Sequence, residues 1–112
     1  MELCRKIKTC SEAEIYNVYG LTETTVWSTI CECKKENIIG RPIANTKVYI
    51  MNGKNICGVE MIGEICILGK GIGKGYINNQ ELTKQKFVYT NYGRMYKTGD
   101  LGKWTKEGQI LF

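Results

Sequence analysis

The stretch Thr46-Lys-Val-Tyr-Ile-Met-Asn-Gly53 alternates as a β-strand over 46–51 and closes on Asn52-Gly53, a strong signal for a tight hairpin. Gly63-Glu-Ile-Cys-Ile-Leu68 reads as a second strand, with Cys66 a small core residue between Ile65 and Ile67. Outward from this pair, Tyr96-Lys97, 101–104 and 109–112 are further strand candidates, the last two joined by a turn at Lys106-Glu-Gly108, and the chain ends inside the last. Residues 79–87 predict a short helix capped by Asn79, with Leu82, Gln85 and Lys86 at helical spacing. On the amino-terminal side, Ile15-Tyr-Asn-Val-Tyr19 is β-rich and Gly20 ends it, which places the following polar residues at the carboxyl end of a sheet, where open α/β folds put ligands. Residues 2–8 have helix-forming composition with Leu3 and Ile7 at i, i+4, as for a helix packed on a sheet. The expected fold class is α+β, mostly β. Residues 1–41 form the edge of an α/β subdomain and 42–112 part of a distorted β-barrel, with the boundary near Arg41-Pro42.

Composition narrows the function classes. A chain of 112 residues with 43% hydrophobic content suits one small domain. The six cysteines (Cys4, Cys10, Cys31, Cys33, Cys57, Cys66) include no Cys-x-x-Cys pair, and there is no histidine. That excludes zinc-type spacing and a Cys-His nucleophile, and with no secretory signal core it favours reduced thiols. The formal charge is +5, but the lysines are scattered among glutamates without a basic stripe, so a solvated surface and no nucleic-acid partner are expected. No apolar run approaches the ~18–20 residues that cross a bilayer. A soluble, cytoplasmic protein without a membrane partner is the expectation.

Two stretches carry candidate chemistry. In Tyr19-Gly-Leu-Thr-Glu23, Gly20 allows close backbone approach and Thr22 offers a hydroxyl to a phosphate oxygen. Glu23 is a hard oxygen donor for Mg²⁺, and Tyr19 can stack on a purine. The structural alternative is a turn into a helix capped by Thr22. In Thr98-Gly-Asp100, the only aspartate of the chain follows a glycine and can accept the hydroxyls of a ribose, or else form an Asx turn between two strands. By contrast, Gly69-Lys-Gly-Ile-Gly-Lys-Gly75 fits neither the dinucleotide nor the Walker pattern and reads as a place where backbone segments crowd together.

Asn17-Val-Tyr-Gly-Leu-Thr-Glu-Thr-Thr25, the run from Gly63 through Tyr76, and Tyr96-Lys-Thr-Gly-Asp-Leu101 appear in an order that resembles the adenylation domains of nonribosomal peptide synthetases, of the adenylate-forming superfamily. Two further stretches, 39–50 and 81–87, look like peptide-synthetase sequence. The chain departs from the family at Leu21, where proline is usual, and at Gly73-Lys74, where alanine-arginine is usual. The resemblance implies that Asn17, Tyr19 and Gly20 bind the nucleotide, with Asn17 and Tyr19 at the adenine. It implies that Thr22 and Glu23 are catalytic, Thr22 at the phosphate and Glu23 on the metal, and that Asp100 holds the ribose. Val18, Val26 and Trp27 would line the amino-acid pocket, core packing being their alternative. The implied cofactors are ATP and Mg²⁺, and the implied partners are an amino acid and a phosphopantetheine carrier protein. Such domains are several times longer. Their phosphate loop, ammonium-binding aspartate, hinge and catalytic lysine fall outside these residues, so the chain reads as a fragment inactive by itself. The alternatives are a fatty-acid or aryl-acid activating relative, and a non-catalytic β-domain remnant that binds partners.

Overall fold

The computed structural model describes residues 2–112. The alternation that opens the sequence reading becomes β4 (Thr46–Asn52), which pairs with β6 (Gly63–Gly69) in antiparallel register from Thr46↔Gly69 to Met51↔Glu64. Alternation on these two strands feeds two apolar clusters on opposite sheet faces. Val48, Ile50, Ile65 and Ile67 join Ile39, Cys57 and Ile110 on one face, with Tyr19, Leu21 and Trp104 packed against them. Met51, Cys66 and Leu68 join Met95 on the other, flanked by Tyr49, Ile72 and Val88. Burying each such side chain is worth about 1.5–3 kcal/mol, so β6, apolar on both faces, is the centre of the core. Cys66 is the small core residue expected of it, and burial, ahead of Glu64, pushes its thiol up to about 12.

The remaining strands extend this pair: β1 (Tyr16–Tyr19), β2 (Thr29–Glu32), β3 (Ile38–Pro42), β5 (Asn55–Ile56), β7 (Phe87–Thr90), β8 (Gly93–Trp104) and β9 (Ile110–Leu111). They form one open sheet in the order β1-β2-β3-β9-β8-β6-β4-β5, with β7 pairing β8, and every pairing is antiparallel. The fold is therefore mostly β. The Arg41-Pro42 position chosen as a boundary is the end of β3.

Helix α2 (Gln80–Lys86) follows Asn79, whose side chain accepts from the Leu82 N–H as a cap should. Helix α1 (Glu2–Cys10) forms where expected but buries none of its residues, and Leu3 and Ile7, expected to pack on a sheet, are 69% and 38% exposed. No helix among the described residues is long and apolar enough to cross a membrane.

Candidate functional site

Strand β8 departs most from the sequence reading. Its two expected pieces are one strand, and Thr98-Gly-Asp100 is a bulge within it rather than a turn between strands. Lys97 pairs with Cys66 and Leu101 with Glu64, so three residues of β8 stand opposite Ile65 alone. Side chains hold the bulge. Thr98 Oγ1 donates to the Ile65 carbonyl at 2.7 Å, the Asp100 N–H reaches Thr98 Oγ1 at 3.0 Å, and the Gly99 N–H reaches Glu64 Oε1 at 3.0 Å. Gly99 sits at φ 82°, a left-handed conformation that glycine adopts freely. The result turns Asp100 toward β1, where Tyr19 Oη donates to its Oδ2 at 2.6 Å. Burial, then this bond, holds the Tyr19 hydroxyl well above its ordinary range.

The loop after β1 folds on itself. Leu21 precedes a single 3-10 turn, Thr22–Thr24, and the buried Thr24, not Thr22, closes it: Thr24 Oγ1 donates to the Leu21 carbonyl at 3.1 Å and accepts from the Leu21 N–H at 3.2 Å. The buried Ser28 donates to Thr24 Oγ1 at 2.8 Å. Thr22 is exposed, and its hydroxyl makes no hydrogen bond among the described residues. A Cβ on Gly20 would stand 1.9 Å from the Val26 carbonyl oxygen, so the close approach this glycine permits is that of its own loop. Thr25 and Val26 are both left-handed, at φ 60° and 68°, strain that a β-branched residue rarely carries.

Glu23 projects from this loop toward β8. Its Oε1 accepts from Tyr76 Oη at 2.8 Å, and Tyr76 Oη lies 3.2 Å from Tyr96 Oη. The Tyr76 bond is the main reason the Glu23 carboxyl lies below its ordinary range, so it is ionised at neutral pH. Burial foremost raises both tyrosines. Phe87 packs its ring against both, with centroids 5.6 Å from Tyr76 and 4.9 Å from Tyr96. Tyr76 and Tyr96 were visible in the motifs, but a phenol at a motif's edge carries no spacing signal that assigns it a partner.

The glycine stretch is the crowded connection expected. The Gly73 N–H donates to the Glu23 carbonyl at 2.8 Å, and Thr25 Oγ1 donates to the Gly71 carbonyl at 2.5 Å. Arg94 clamps the far side, with Nη1 2.7 Å from the Gly73 carbonyl and Nη2 2.9 Å from that of Lys74. Asn17 shares the half-buried face of β1 with Tyr19 and gives its amide to the Ile38 carbonyl at 2.8 Å. Val18 lies on the opposite face at 38% exposure, and Val26 and Trp27 are 60% and 58% exposed, which is not core packing.

Two hydrogen-bonded groups thus reach strand β8, Tyr19 with Asp100 and Glu23 with Tyr76 and Tyr96, and the Thr22 hydroxyl lies on the loop of Glu23. Mg²⁺ needs few protein ligands, and those should be hard oxygens. An ionised Glu23 beside an uncommitted threonine hydroxyl fits it. No group of three or more histidine, cysteine or acidic side chains that could hold a metal without substrate oxygens occurs among the described residues.

A family model described as AMP-binding enzyme matches residues 1–77. The chain belongs to the AMP-binding enzyme family. Among curated members, it is 44% identical to gramicidin S synthase 2 of Aneurinibacillus migulanus, over 99% of this chain and 3% of that protein. Bacitracin synthase 1 of Bacillus licheniformis is 45% identical over 88% of this chain and 2% of its own length. The chain therefore spans only a few per cent of the length of these curated relatives. Among solved structures, an NRPS protein containing adenylation and PCP domains, bound to a vinylsulfonamide inhibitor, superimposes with a TM-score of 0.86 at 27% identity, covering 98% of this chain and 21% of that one. A structure described as a putative long-chain-fatty-acid CoA ligase from Rhodopseudomonas palustris gives 0.83 at 27% identity, over 96% and 27%. The family's adenylation domains thus share the open antiparallel sheet described above.

Proposed function

We propose that these residues are the nucleotide- and metal-holding part of an amino-acid-activating, adenylate-forming ligase of nonribosomal peptide synthesis. The observation that carries this reading is the convergence of Tyr19 and Asp100 through a 2.6 Å hydrogen bond spanning 81 residues of sequence, with Glu23 seated on the same strand β8 through Tyr76 and Tyr96. Tyr19 presents its ring to adenine while its hydroxyl orients Asp100 toward the ribose. Asn17 lies beside Tyr19 at the base edge. The Thr22 hydroxyl donates to an α-phosphate oxygen, and Glu23 contributes a carboxylate oxygen to Mg²⁺. When bound, the metal neutralises charge on the phosphates. In the whole enzyme a substrate carboxylate oxygen attacks the α-phosphorus of ATP and pyrophosphate leaves. Val18, Val26 and Trp27 would face the amino acid, and a phosphopantetheine carrier protein would take the acyl group. The division into 1–41 and 42–112 is part of the same reading.

The test replaces the matching stretch of a peptide-synthetase relative with residues 1–112 and measures acid-dependent ATP–pyrophosphate exchange. Exchange driven by an amino acid, with Glu23→Gln raising the barrier by about 2–4 kcal/mol, is the expected result. Exchange driven only by fatty or aryl acids would favour the acyl-CoA ligase branch. A folded hybrid whose Glu23→Gln variant matches its parent at limiting Mg²⁺ would remove Glu23 from the metal.

A further inference from the structure

Helix α1 buries no residue, yet it has a defined neighbour. Cys4 and Lys8 are separated by four positions and share one helix face. Lys8 Nζ donates to the Cys33 carbonyl at 3.3 Å, and Cys4 and Cys33 face one cleft. The neighbouring Cys4 thiol, ahead of burial, holds the Cys33 thiol above its ordinary range. Cys33 is itself positioned, since its N–H donates to the Ile15 carbonyl at 2.8 Å just before β1. Both cysteines line a cleft of about 460 Å³ that also includes Tyr16 and Asn17. The other thiols are placed differently: Cys57 and Cys66 are buried in the core, Cys31 donates to the Ile38 carbonyl at 3.2 Å, and Cys10 lies at the helix end beside Thr9.

We propose that Cys4 and Cys33 form a modification site: a dithiol pair that a low-molecular-weight disulfide, such as oxidised glutathione, converts to an intramolecular disulfide. The thiolate of one cysteine attacks a glutathione sulfur, forming a mixed disulfide and releasing one glutathione thiolate. The second cysteine, as its thiolate, attacks the protein sulfur of that mixed disulfide and expels the second glutathione thiolate. Two protein thiols are oxidised, one glutathione disulfide is reduced, and the two protons pass to the released thiolates. The bond requires Cα atoms within about 7 Å. A helix that buries nothing can adjust to that requirement without disturbing the core. The product fastens α1 to the β1–β2 edge, beside Asn17. This inference stands independently of the nucleotide reading.

The experiment incubates the 112-residue chain with excess oxidised glutathione, then unfolds it, alkylates it and records its mass. Of six cysteines, four should remain alkylatable (six less the linked pair), with no glutathione adduct. Combined cleavage after basic and glutamate residues places Cys4, Cys10, Cys31 and Cys33 on separate peptides, and a Cys4–Cys33 linked pair should appear. Amide exchange within α1 should slow in the oxidised form, and Cys4→Ser should abolish both changes. Six alkylated cysteines, a persistent glutathione adduct on Cys4 or Cys33, a Cys4–Cys10 link or a link between two chains would each overturn the proposal.

Discussion

The phenol of Tyr76 reaches across 53 residues of sequence to fix one oxygen of Glu23, and that bond makes a testable claim about a single carboxyl group. Its folded pKa is depressed below 4.5, so the interaction stabilises the fold above that pH and is lost as pH falls through the depressed value. Tyr76→Phe should move the Glu23 titration up toward 4.5, read from its side-chain carboxyl carbon by NMR, and should lessen the loss of stability on acidification. An unchanged Glu23 titration would show that the bond does not hold the carboxylate. Residue types were legible at this scale. A lone aspartate after glycine and a glutamate after threonine are unusual enough to single out. Partners were not: nothing in the order of residues says that Tyr19 meets Asp100, because the contact depends on how a bulge turns β8.

Among the elements, the loop between β1 and β2 depends on a close backbone approach as well as on the Thr24 and Ser28 side-chain bonds. Gly20 admits the Val26 carbonyl to the position a Cβ would take, 1.9 Å away, and Ser28 completes the closure by donating its N–H to the Tyr19 carbonyl at 2.8 Å. Gly20→Ala should therefore cost about 1–3 kcal/mol of unfolding free energy and displace Thr22 and Glu23. Gly58→Ala is the control, since its Cβ would meet only the Met61 sulfur at 3.7 Å. Urea midpoints that shift equally in the two variants would contradict this account. The strands carrying regular alternation, β4 and β6, and the capped helix α2 were readable in advance. Strands β2 and β3 were not. Each is four or five residues long, and β3 contains Gly40 at φ 86° and ends on Pro42, both of which count locally against a strand although pairing with β2 and β9 overrides them. The bulge in β8 was missed for a related reason: Gly99 looks like a turn until Ile65 accepts the Thr98 hydroxyl and keeps the strand running.

Across the whole molecule, three tyrosines tie the motif loop to the sheet, and all three hydroxyls are raised above the ordinary 10.0. The sign follows from linkage. A raised folded value means the contribution is present below pH 10 and is lost as pH rises through the folded values. Urea stability should hold up to about pH 10 and fall beyond it, and Tyr19→Phe should make that fall shallower. An identical alkaline slope in the variant would separate Tyr19 from the integrity of the site. The mostly-β class was legible from alternation and turn dipeptides. The order of strands was not, because β9 inserts between β3 and β8, a long-range pairing that local pattern does not encode. That insertion joins the half of the sheet bearing Asn17 and Tyr19 to the half bearing Asp100.

The central claim is that Tyr19, Glu23 and Asp100 form one nucleotide surface, and titrating the isotopically labelled chain with AMP and Mg²⁺ by NMR tests it most directly. The account predicts weak, millimolar binding, with amide shifts concentrated at 17–25, Tyr76 and 96–100, and their loss in Asp100→Ala. Shifts confined instead to the separate cleft lined by Lys54, Tyr89 and Asn91, or no shifts at millimolar AMP, would contradict it.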